Sequence, residues 1–475
     1  MKPAEISKST QRAKYVVTDL LTGALAFWVF NIVRYYLLQE VHSGYYSLSS
    51  FLGSTKLIVE QCVVPFVMLV IYWISGYYNR PFQKSRLQEF NVTFFSSIIT
   101  TVIIYLVLLI NDQTGKRIIN YEMIGILFLL LFLITYFPRL IITTLVISHF
   151  RKDKWHINVL IIGNSSVSRN VAKKLYEDNK VCKYNLRGFV EIPGEHSIKD
   201  SMPVFKFEDF EKICGNLEIN QVILAPEYHD DKKVMMLLSI LFPLDIPVKI
   251  SPDTLSYVTS AIRMNDIYGE PFVDLTTPAI SESSKNIKRL FDVSFSIFVL
   301  LVLSPLFAIL ALCVRFSSKG PVIYSQERIG RHQKPFSILK FRTMILNAEE
   351  TGPQLSQDND PRITRVGRWM RKYRFDELPQ FWNVIKGDMS IVGPRPEREF
   401  YIRQIVQEAP YYTLVCQVRP GITSWGMVKY GYASSLSQMI DRTQYDLIYL
   451  ANMSLSVDFK ILIYTFKTII SGSGK

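Results

Sequence analysis

Two adjacent acids, Asp376 and Glu377, lie within Arg374-Phe375-Asp376-Glu377-Leu378-Pro379-Gln380-Phe381-Trp382-Asn383. A proline just inside a helix start, with an aspartate before it, marks a helix N-terminus. There the free N–H groups and the macrodipole stabilise negative charge, so a carboxylate stays ionised and a phosphate can dock beside it. An ionised carboxylate is a competent nucleophile toward phosphorus, and its neighbour could hold Mg2+, a hard cation that takes oxygen ligands. The plainer alternative is an acidic helix cap. Lys386-Gly387-Asp388 follows about two turns on and adds a cation and an acid.

Basic residues crowd around this pair, next to turn-forming Gly and Pro. They occur in Gln326-Glu327-Arg328-Ile329-Gly330, Lys340-Phe341-Arg342-Thr343-Met344, the run from Arg362 to Arg374, and Gly393-Pro394-Arg395-Pro396. Arg365, Arg368 and Arg371 recur every three residues, which gathers them on one broad helix face. A guanidinium presents a planar fork of donors that suits phosphate oxygens. Any one of these arginines could lie on a solvated or headgroup-facing surface, whereas the set beside turns points to phosphate handling. Residues 283–475 carry 26 Lys and Arg against 15 Asp and Glu, so they hold +11 of the chain's net +13.

Elements that could position such a site start with membrane segments. The 475-residue chain is 49% hydrophobic, which excludes a disordered tail and argues against an ordinary soluble enzyme. Four apolar segments, near Val16–Leu38, Leu57–Tyr77, Phe94–Ile110 and Met123–Ser148, approach the ~20 residues that cross a bilayer. Lys2, Lys8, Arg12 and Lys14 precede the first segment; Arg80, Lys84 and Arg86 follow the second; Arg151, Lys152 and Lys154 follow the fourth. By the positive-inside rule both ends of this front are cytoplasmic. Few charges fall inside the spans, and Arg139 follows Pro138 near an expected helix break, a pattern that fits an anchor better than an ion pathway. A fifth apolar stretch, Leu290–Val314, has positive flanks on both sides and is interrupted at Ser304–Pro305. A proline there bends a helix, so a helix–break–helix hairpin entering one leaflet is favoured over a kinked full span.

Residues 151–275 read as a small parallel α/β domain of Rossmann type. Strands are expected at Ile157–Ile162, Gly188–Glu191, Gln221–Ala225 and Val248–Ile250, with helices near Val167–Tyr176, Phe207–Cys214 and Asp231–Leu241. The first turn, Gly163-Asn164-Ser165-Ser166-Val167-Ser168, lacks two of the three fingerprint glycines, which favours a regulatory or structural domain over an NAD site. The five cysteines are scattered, with no CxxC or Cys/His pairing, so neither a disulfide framework nor a zinc site is expected. Cys62 and Cys313 lie in apolar runs and read as buried thiols.

Lys288-Arg289-Leu290-Phe291-Asp292, the Ser304–Pro305 break, Lys340-Phe341-Arg342-Thr343-Met344, Asp376-Glu377-Leu378-Pro379-Gln380, Lys386-Gly387-Asp388-Met389-Ser390, Gly393-Pro394-Arg395-Pro396 and Arg419-Pro420-Gly421-Ile422-Thr423 together resemble the bacterial sugar transferase domain of the monotopic phosphoglycosyl transferases. With its four-span front and Rossmann-like middle, the chain resembles the large members, polyprenyl glycosylphosphotransferases that start exopolysaccharide, capsule or O-antigen assembly. It departs from the pattern at Arg374-Phe375, where Ser-Leu is common, and at Ser424-Trp425-Gly426, where Gly-Leu-Trp-Gln is usual. The resemblance implies that Asp376 attacks the sugar-bearing phosphate of a UDP-sugar, releasing UMP, and that undecaprenyl phosphate then takes the phosphosugar. It implies Mg2+ on Glu377, with substrate contacts from Lys288, Arg289, Asp292, Arg328, Lys340, Arg342, Arg365, Arg368, Lys386, Asp388 and Arg395.

The expected architecture is therefore a membrane α/β protein. It comprises a four-span domain (1–150), a Rossmann-like domain (151–275) and a mixed α/β catalytic domain (283–475) with a re-entrant hairpin at 286–316. The last apolar helix, around Val457–Ile470 with Lys460 and Lys467, is expected to lie along the same membrane surface. Expected partners are the UDP-sugar donor, the undecaprenyl phosphate acceptor, membrane lipid and a second copy of the chain in a homodimer, with no nucleic acid. The expected place is the bacterial inner membrane, with the soluble domains on its cytoplasmic face. Two other readings stay open: a membrane-anchored NAD-dependent nucleotide-sugar dehydratase or epimerase, and a non-enzymatic polysaccharide-assembly scaffold.

Overall fold

The computed structural model describes residues 8–39, 47–109 apart from 83, 117–151, 156–177, 184–192, 198, 202–226, 231–241, 244, 246–250, 273–274, 280–345, 348 and 360–470 apart from 432. The expected charges at Lys2, Lys152 and Lys154 lie outside these residues, as does most of 251–279. The chain divides into two compact units. One comprises 1–156 with 180–183 and 281–287; the other comprises 157–179, 184–280 and 288–475.

The first unit is built on four helices long and apolar enough to cross a membrane, α1 (Lys8–Gln39), α3 (Thr55–Ile74), α4 (Arg86–Ile104, continued to Leu109 by a wider turn) and α5 (Arg117–Arg151), with a short α2 (Leu48–Leu52) between the first two. The third span begins at Arg86, eight residues before the expected Phe94, because Ser85 caps it by accepting the Gln88 N–H. Phe27, Phe30, Met68, Met123, Leu127 and Leu131 fill the centre of the bundle. Leu21, Phe66, Phe95, Leu129 and Phe137 face outward, as lipid-facing side chains do.

Two expectations about this bundle are corrected. α5 runs unbroken through Pro138, and the interior of the bundle holds charge. Arg139 is fully buried and donates from Nε and Nη2 to the two Asp19 carboxylate oxygens, each at 2.6 Å. Its Nη1 reaches Thr93 at 3.0 Å, and Tyr78 donates to Asp19 at 2.7 Å. A second buried pair joins Arg34 and Glu60 at 3.1 Å. These charges meet across helices that are far apart in sequence, so no local pattern announces them. Cys62 also departs from expectation: it is exposed on the outside of α3, and Cys313, in the other unit, is exposed too.

The second unit contains a six-stranded sheet in the order β3-β2-β1-β4-β5-β6. Its strands are β1 (Ile157–Ile162), β2 (Tyr184–Glu191), β3 (Val204–Lys206), β4 (Gln221–Leu224), β5 (Val248–Ile250) and β6 (Val273–Asp274). The first five are parallel, and β6 runs antiparallel at the edge. Helices α6 (Ser166–Glu177), α7 (Phe210–Asn216) and α8 (Asp231–Leu241) connect them. β1 is central, and its buried run Val159–Ile162 is wholly apolar, as a strand covered on both faces must be. The turn after β1 is filled by its own side chains. Ser168 Oγ donates to the Ala225 carbonyl at 2.7 Å, and Asn164 Nδ2 donates to the Ile198 carbonyl at 3.0 Å.

From residue 282 two helices, α9 (Glu282–Val302) and α10 (Ser304–Ser317), meet at a 65° bend. The bend follows from Pro305, which lacks the N–H that would satisfy the Leu301 carbonyl. Ser304 Oγ donates to that carbonyl instead, at 2.8 Å. Beyond it come an antiparallel hairpin, β7 (Ile323–Ile329) and β8 (Pro335–Phe341), and the short parallel pair β9 (Ser390–Val392) and β10 (Gly421–Thr423). Helices α11 (Arg365–Lys372), α12 (Gln380–Lys386), α13 (Glu399–Glu408), α14 (Trp425–Lys429), α15 (Leu436–Ala451) and α16 (Leu455–Ile470) pack around these strands. α16 buries Ile461 and turns Phe459, Ile463 and Phe466 outward.

Candidate active site

Asp376 and Glu377 sit on a single 3-10 turn, Phe375–Glu377, that leads into α12. The turn is entered through Arg374, whose backbone is left-handed at φ 57°. A non-glycine residue in that region carries local strain, held here by the surrounding contacts. Both acids are nearly buried, at 8% and 7% exposed. The sequence expectation of an acid pair at a helix start is close to what forms, with the pair one turn before the α-helix proper.

Cations converge on Glu377. Lys340 Nζ lies 3.0 Å from Oε1, Arg395 Nη1 lies 3.7 Å from Oε1, and Arg374 Nη1 lies 3.4 Å from Oε2. Arg371 donates from Nε to Thr343 Oγ1 at 2.9 Å. These contacts separate the two acids. Burial would raise both, but Lys340, Arg374 and Arg395 outweigh it for Glu377 and hold its pKa well below the usual carboxylate range. Burial and the neighbouring Glu377 charge push Asp376 up to about 6. Lys340, Arg371, Arg374 and Arg395 bring four positive charges to two acids, and the surplus suits an anionic ligand.

Each cation is placed by identifiable packing. Lys340 lies on β8, and Asn383 of α12 ties that strand to the acid-bearing helix: its Oδ1 accepts the Leu339 N–H at 3.0 Å, and its Nδ2 donates to the Ser337 carbonyl at 2.8 Å. α11 closely approaches the segment just after β8 at Gly367, where a Cβ would collide with the Thr343 carbonyl. The Pro394-Arg395-Pro396 turn is braced from beneath. Glu397 accepts from Arg442 at 2.5 Å and from Arg328 at 3.3 Å, and Arg328 also donates to the Pro396 carbonyl at 3.2 Å. Asp446 is buried, takes the Gly426 N–H at 3.0 Å, and has its pKa pushed up to about 6 by that burial.

The residues singled out in the sequence separate into groups. Asp376, Glu377, Lys340 and Arg395 come together. Arg328 braces the Arg395 turn, and Arg342 is buried beside the end of α10, donating to the Ser318 carbonyl at 2.6 Å. Arg365 and Arg368 lie exposed on α11, and Lys386 pairs with Asp388 at 3.2 Å at the far end of α12. Lys288, Arg289 and Asp292 fasten α9 to the rest of this unit. Lys288 pairs with Asp458 at 2.8 Å, Arg289 donates to the Val384 and Ile385 carbonyls at 2.8 and 3.1 Å, and Asp292 accepts from Ser390 Oγ at 2.6 Å. Ser304 and Pro305 make the bend. Arg374 ends the basic run read from the sequence and also departs from the family pattern; the structure adds its contact with Glu377, three residues on. Glu397, Arg442 and Asp446 gave no local signal, because their partners are far along the chain.

A bacterial sugar transferase family model matches residues 283–472. The chain is 43% identical over 188 residues to a UDP-N-acetylgalactosamine-undecaprenyl-phosphate N-acetylgalactosaminephosphotransferase of Aeromonas hydrophila, covering 40% of this chain and 44% of that one. It is 36% identical over 258 residues to a UDP-glucose:undecaprenyl-phosphate glucose-1-phosphate transferase of Escherichia coli K12, covering 54% and 55%. It is 30% identical over 340 residues to an undecaprenyl-phosphate galactose phosphotransferase of Salmonella typhimurium, covering 67% and 69%. The match thus spans about half the length of the first two relatives and over two thirds of the third. On that similarity, the chain belongs to the bacterial sugar transferase family, the polyprenyl glycosylphosphotransferases.

Proposed function

We propose that this protein transfers a phosphosugar from a UDP-sugar to undecaprenyl phosphate at the cytoplasmic face of a bacterial inner membrane, as the first membrane step of exopolysaccharide, capsule or O-antigen synthesis. An Asp376 carboxylate oxygen attacks the sugar-bearing phosphorus of the donor. The bond from that phosphorus to the bridging oxygen breaks, UMP leaves, and an aspartyl phosphosugar remains. A phosphate oxygen of undecaprenyl phosphate then attacks the same phosphorus, which restores the Asp376 carboxylate and yields a polyprenyl diphosphate sugar. The observation that carries this reading is the convergence of Lys340, Arg374 and Arg395 on Glu377 beside a buried aspartate. Those cations offset the charge that gathers on the diphosphate, and charge stabilisation is most of phosphoryl-transfer catalysis.

A magnesium ion fits this donor set. Mg2+ is commonly held by one or two carboxylates with substrate phosphates and water completing its shell, and Glu377, kept ionised by its neighbours, supplies such a carboxylate. When bound there, the ion would offset negative charge on the donor diphosphate. α9 and α10 with their 65° bend suit a re-entrant hairpin, which would bring a cytosolic donor and a lipid-borne acceptor to one interface. The relatives differ in sugar, so the donor sugar stays open among glucose, galactose and acetamido sugars.

The test is UMP release from a panel of UDP-sugars by membranes containing the protein, with and without undecaprenyl phosphate. Release that depends on the acceptor in multiple turnovers supports the reading. No release from any UDP-sugar overturns it. Cysteine labels placed after Arg315 should react only from the cytoplasmic side, and periplasmic labelling would sink the hairpin.

A further inference from the structure

α12 is the helix that the acid turn leads into, and its far end is held by two arginines from distant parts of the chain. Gly387 closes the helix in the left-handed region at φ 103°, and its N–H reaches the Asn383 and Val384 carbonyls, each at 3.1 Å. Arg289 of α9 donates from Nη1 to the Val384 carbonyl at 2.8 Å and from Nη2 to the Ile385 carbonyl at 3.1 Å. Arg419, two residues before β10, donates from Nε to the Gly387 carbonyl at 2.8 Å. The last carbonyls of a helix have no partner within it and carry partial negative charge, so cations are stabilised there. The two guanidiniums are also close to each other. Burial lowers the Arg419 pKa, and the Arg289 charge lowers it further. Like charges repel, so their shared position is stabilised by the carbonyls they both approach.

What that end of α12 controls lies at the other end. Asp376 is ten residues before Lys386, about 15 Å along a helix axis. Asn383 ties α12 to β8 along one side, and the arginines hold the end of the axis. A tilt of about 4° about that end moves the acid turn by about 1 Å, and a misplacement of that size costs about a hundredfold in rate. α9 meets this region at three points. Arg289 takes the carbonyls, Asp292 accepts from Ser390 Oγ and the Ile391 N–H just beyond α12, and the Phe295 ring packs on Phe381 with centroids 6.3 Å apart. Residues 289, 292 and 295 are three apart and so share one broad face of α9. The first arm of the bent pair and the helix behind Asp376 are thus held as one body. Two Arg289 nitrogens are engaged by backbone carbonyls, a structural contact for a residue whose motif implies a substrate contact.

We propose that Arg289 and Arg419 are positioning residues for the transfer: they clamp the C-terminal end of α12 and thereby fix the Asp376 carboxylate, at the other end, in line with the phosphorus it attacks. This rests on the function proposed above and deepens it. Arg289 then acts through α12 and touches neither substrate. Arg419 takes a role that its place in the Arg419-Pro420-Gly421 motif did not suggest. The two contacts also differ in kind. Arg289 reaches two carbonyls with a fork that a single ammonium cannot reproduce, whereas Arg419 makes one bond that a flexible lysine can replace.

Arg289→Met, Arg289→Lys, Arg419→Met, Arg419→Lys and the double change Arg289→Met with Arg419→Met are made in the full-length protein. UMP release is assayed with donor and acceptor varied in turn. Each Met variant is expected to lower kcat about tenfold to a hundredfold, the cost of a misplaced reacting group, with both KM values unchanged within about twofold. Arg419→Lys should recover most of that loss and Arg289→Lys little of it. The double variant should lose less than the product of the single losses, because both side chains hold one helix end. Hydrogen exchange followed by mass spectrometry reads the clamp without turnover: the backbone amides of α12 should exchange faster in the Met variants, while those of β1 and β4 exchange as in wild type. A raised KM for either substrate at unchanged kcat makes the arginine a substrate contact and overturns the proposal, as does unchanged exchange in α12. Should the Met variants fail to fold, the Lys variants decide, and equal activity in Arg289→Lys and Arg419→Lys overturns it. Absence of UMP release in wild type would count against the proposed reaction, and the exchange measurement would still decide the clamp.

Discussion

Lys340 Nζ lies 3.0 Å from Glu377 Oε1, and this contact sets the two neighbouring acids to different tasks. Glu377 stays ionised far into the acid range, whereas Asp376, lacking so close a cation, takes the cost of burial and of its neighbour's charge. Adjacent carboxylates with pKa values pushed apart are how one site obtains two chemical roles.

The nucleophile must be ionised, so the donor half-reaction should rise with pH through about 6 and level off above it. Asp376→Asn should abolish UMP release. It should also stabilise the fold at neutral pH. The folded protein holds the Asp376 proton more tightly than the unfolded chain does, so stability falls as pH rises from the ordinary aspartate value to about 6, and an amide avoids that loss. Thermal unfolding across pH 4–8, alongside single-turnover UMP release, checks both halves. A variant with near-normal release would contradict the covalent step.

Lys340→Met should cut turnover about a hundredfold or more, in the range of other lost charge-stabilising donors. Lys340 is among the charges that lower the Asp376 pKa, so its loss should also move the acid limb of the pH–rate profile upward. A drop in rate with no shift of that limb would assign Lys340 to the substrate alone.

Asp292→Ala should act on folding, with no selective change in donor KM. Asp292 accepts from Ser390 Oγ at 2.6 Å and from the Ile391 N–H at 3.3 Å, and it lies 3.8 Å from Lys288. Lys288 keeps Asp458 at 2.8 Å, so the cost is that of leaving the Ile391 N–H and Ser390 hydroxyl without this acceptor, roughly 1–3 kcal/mol. Low yield and a lowered unfolding temperature are expected. A stable variant with a raised donor KM would return Asp292 to the substrate site.

Asp19→Asn and Arg139→Met should each destabilise the membrane unit by about 3–5 kcal/mol, since each strands a buried charge. The double change Asp19→Asn with Arg139→Met should lose less than the two single changes added together. Thermal aggregation of detergent-solubilised protein measures the three. Strict additivity would mean that the two side chains do not act as a pair.

What the sequence made legible follows the range of the signal. Four spans, the apolar run Ile157–Ile162 and the bend at Pro305 each depend on residues within about one element, and all could be read directly. The edge strands Val204–Lys206 and Val273–Asp274 were too short to stand out. Arg139 stood out only beside Pro138, and its partner Asp19 gave no signal, because their meeting is a tertiary event. Asp376, Glu377, Lys340 and Arg395 were found because each lies in a dense local motif. Arg374 was read only as one member of the basic run, because its left-handed backbone and its contact with Glu377 exist only in three dimensions.

The ion pair between Lys288 and Asp458 joins the first helix of the 283–472 region to its last. A segment whose beginning and end are bonded to each other closes on itself, so the loss of either partner would loosen both ends at once.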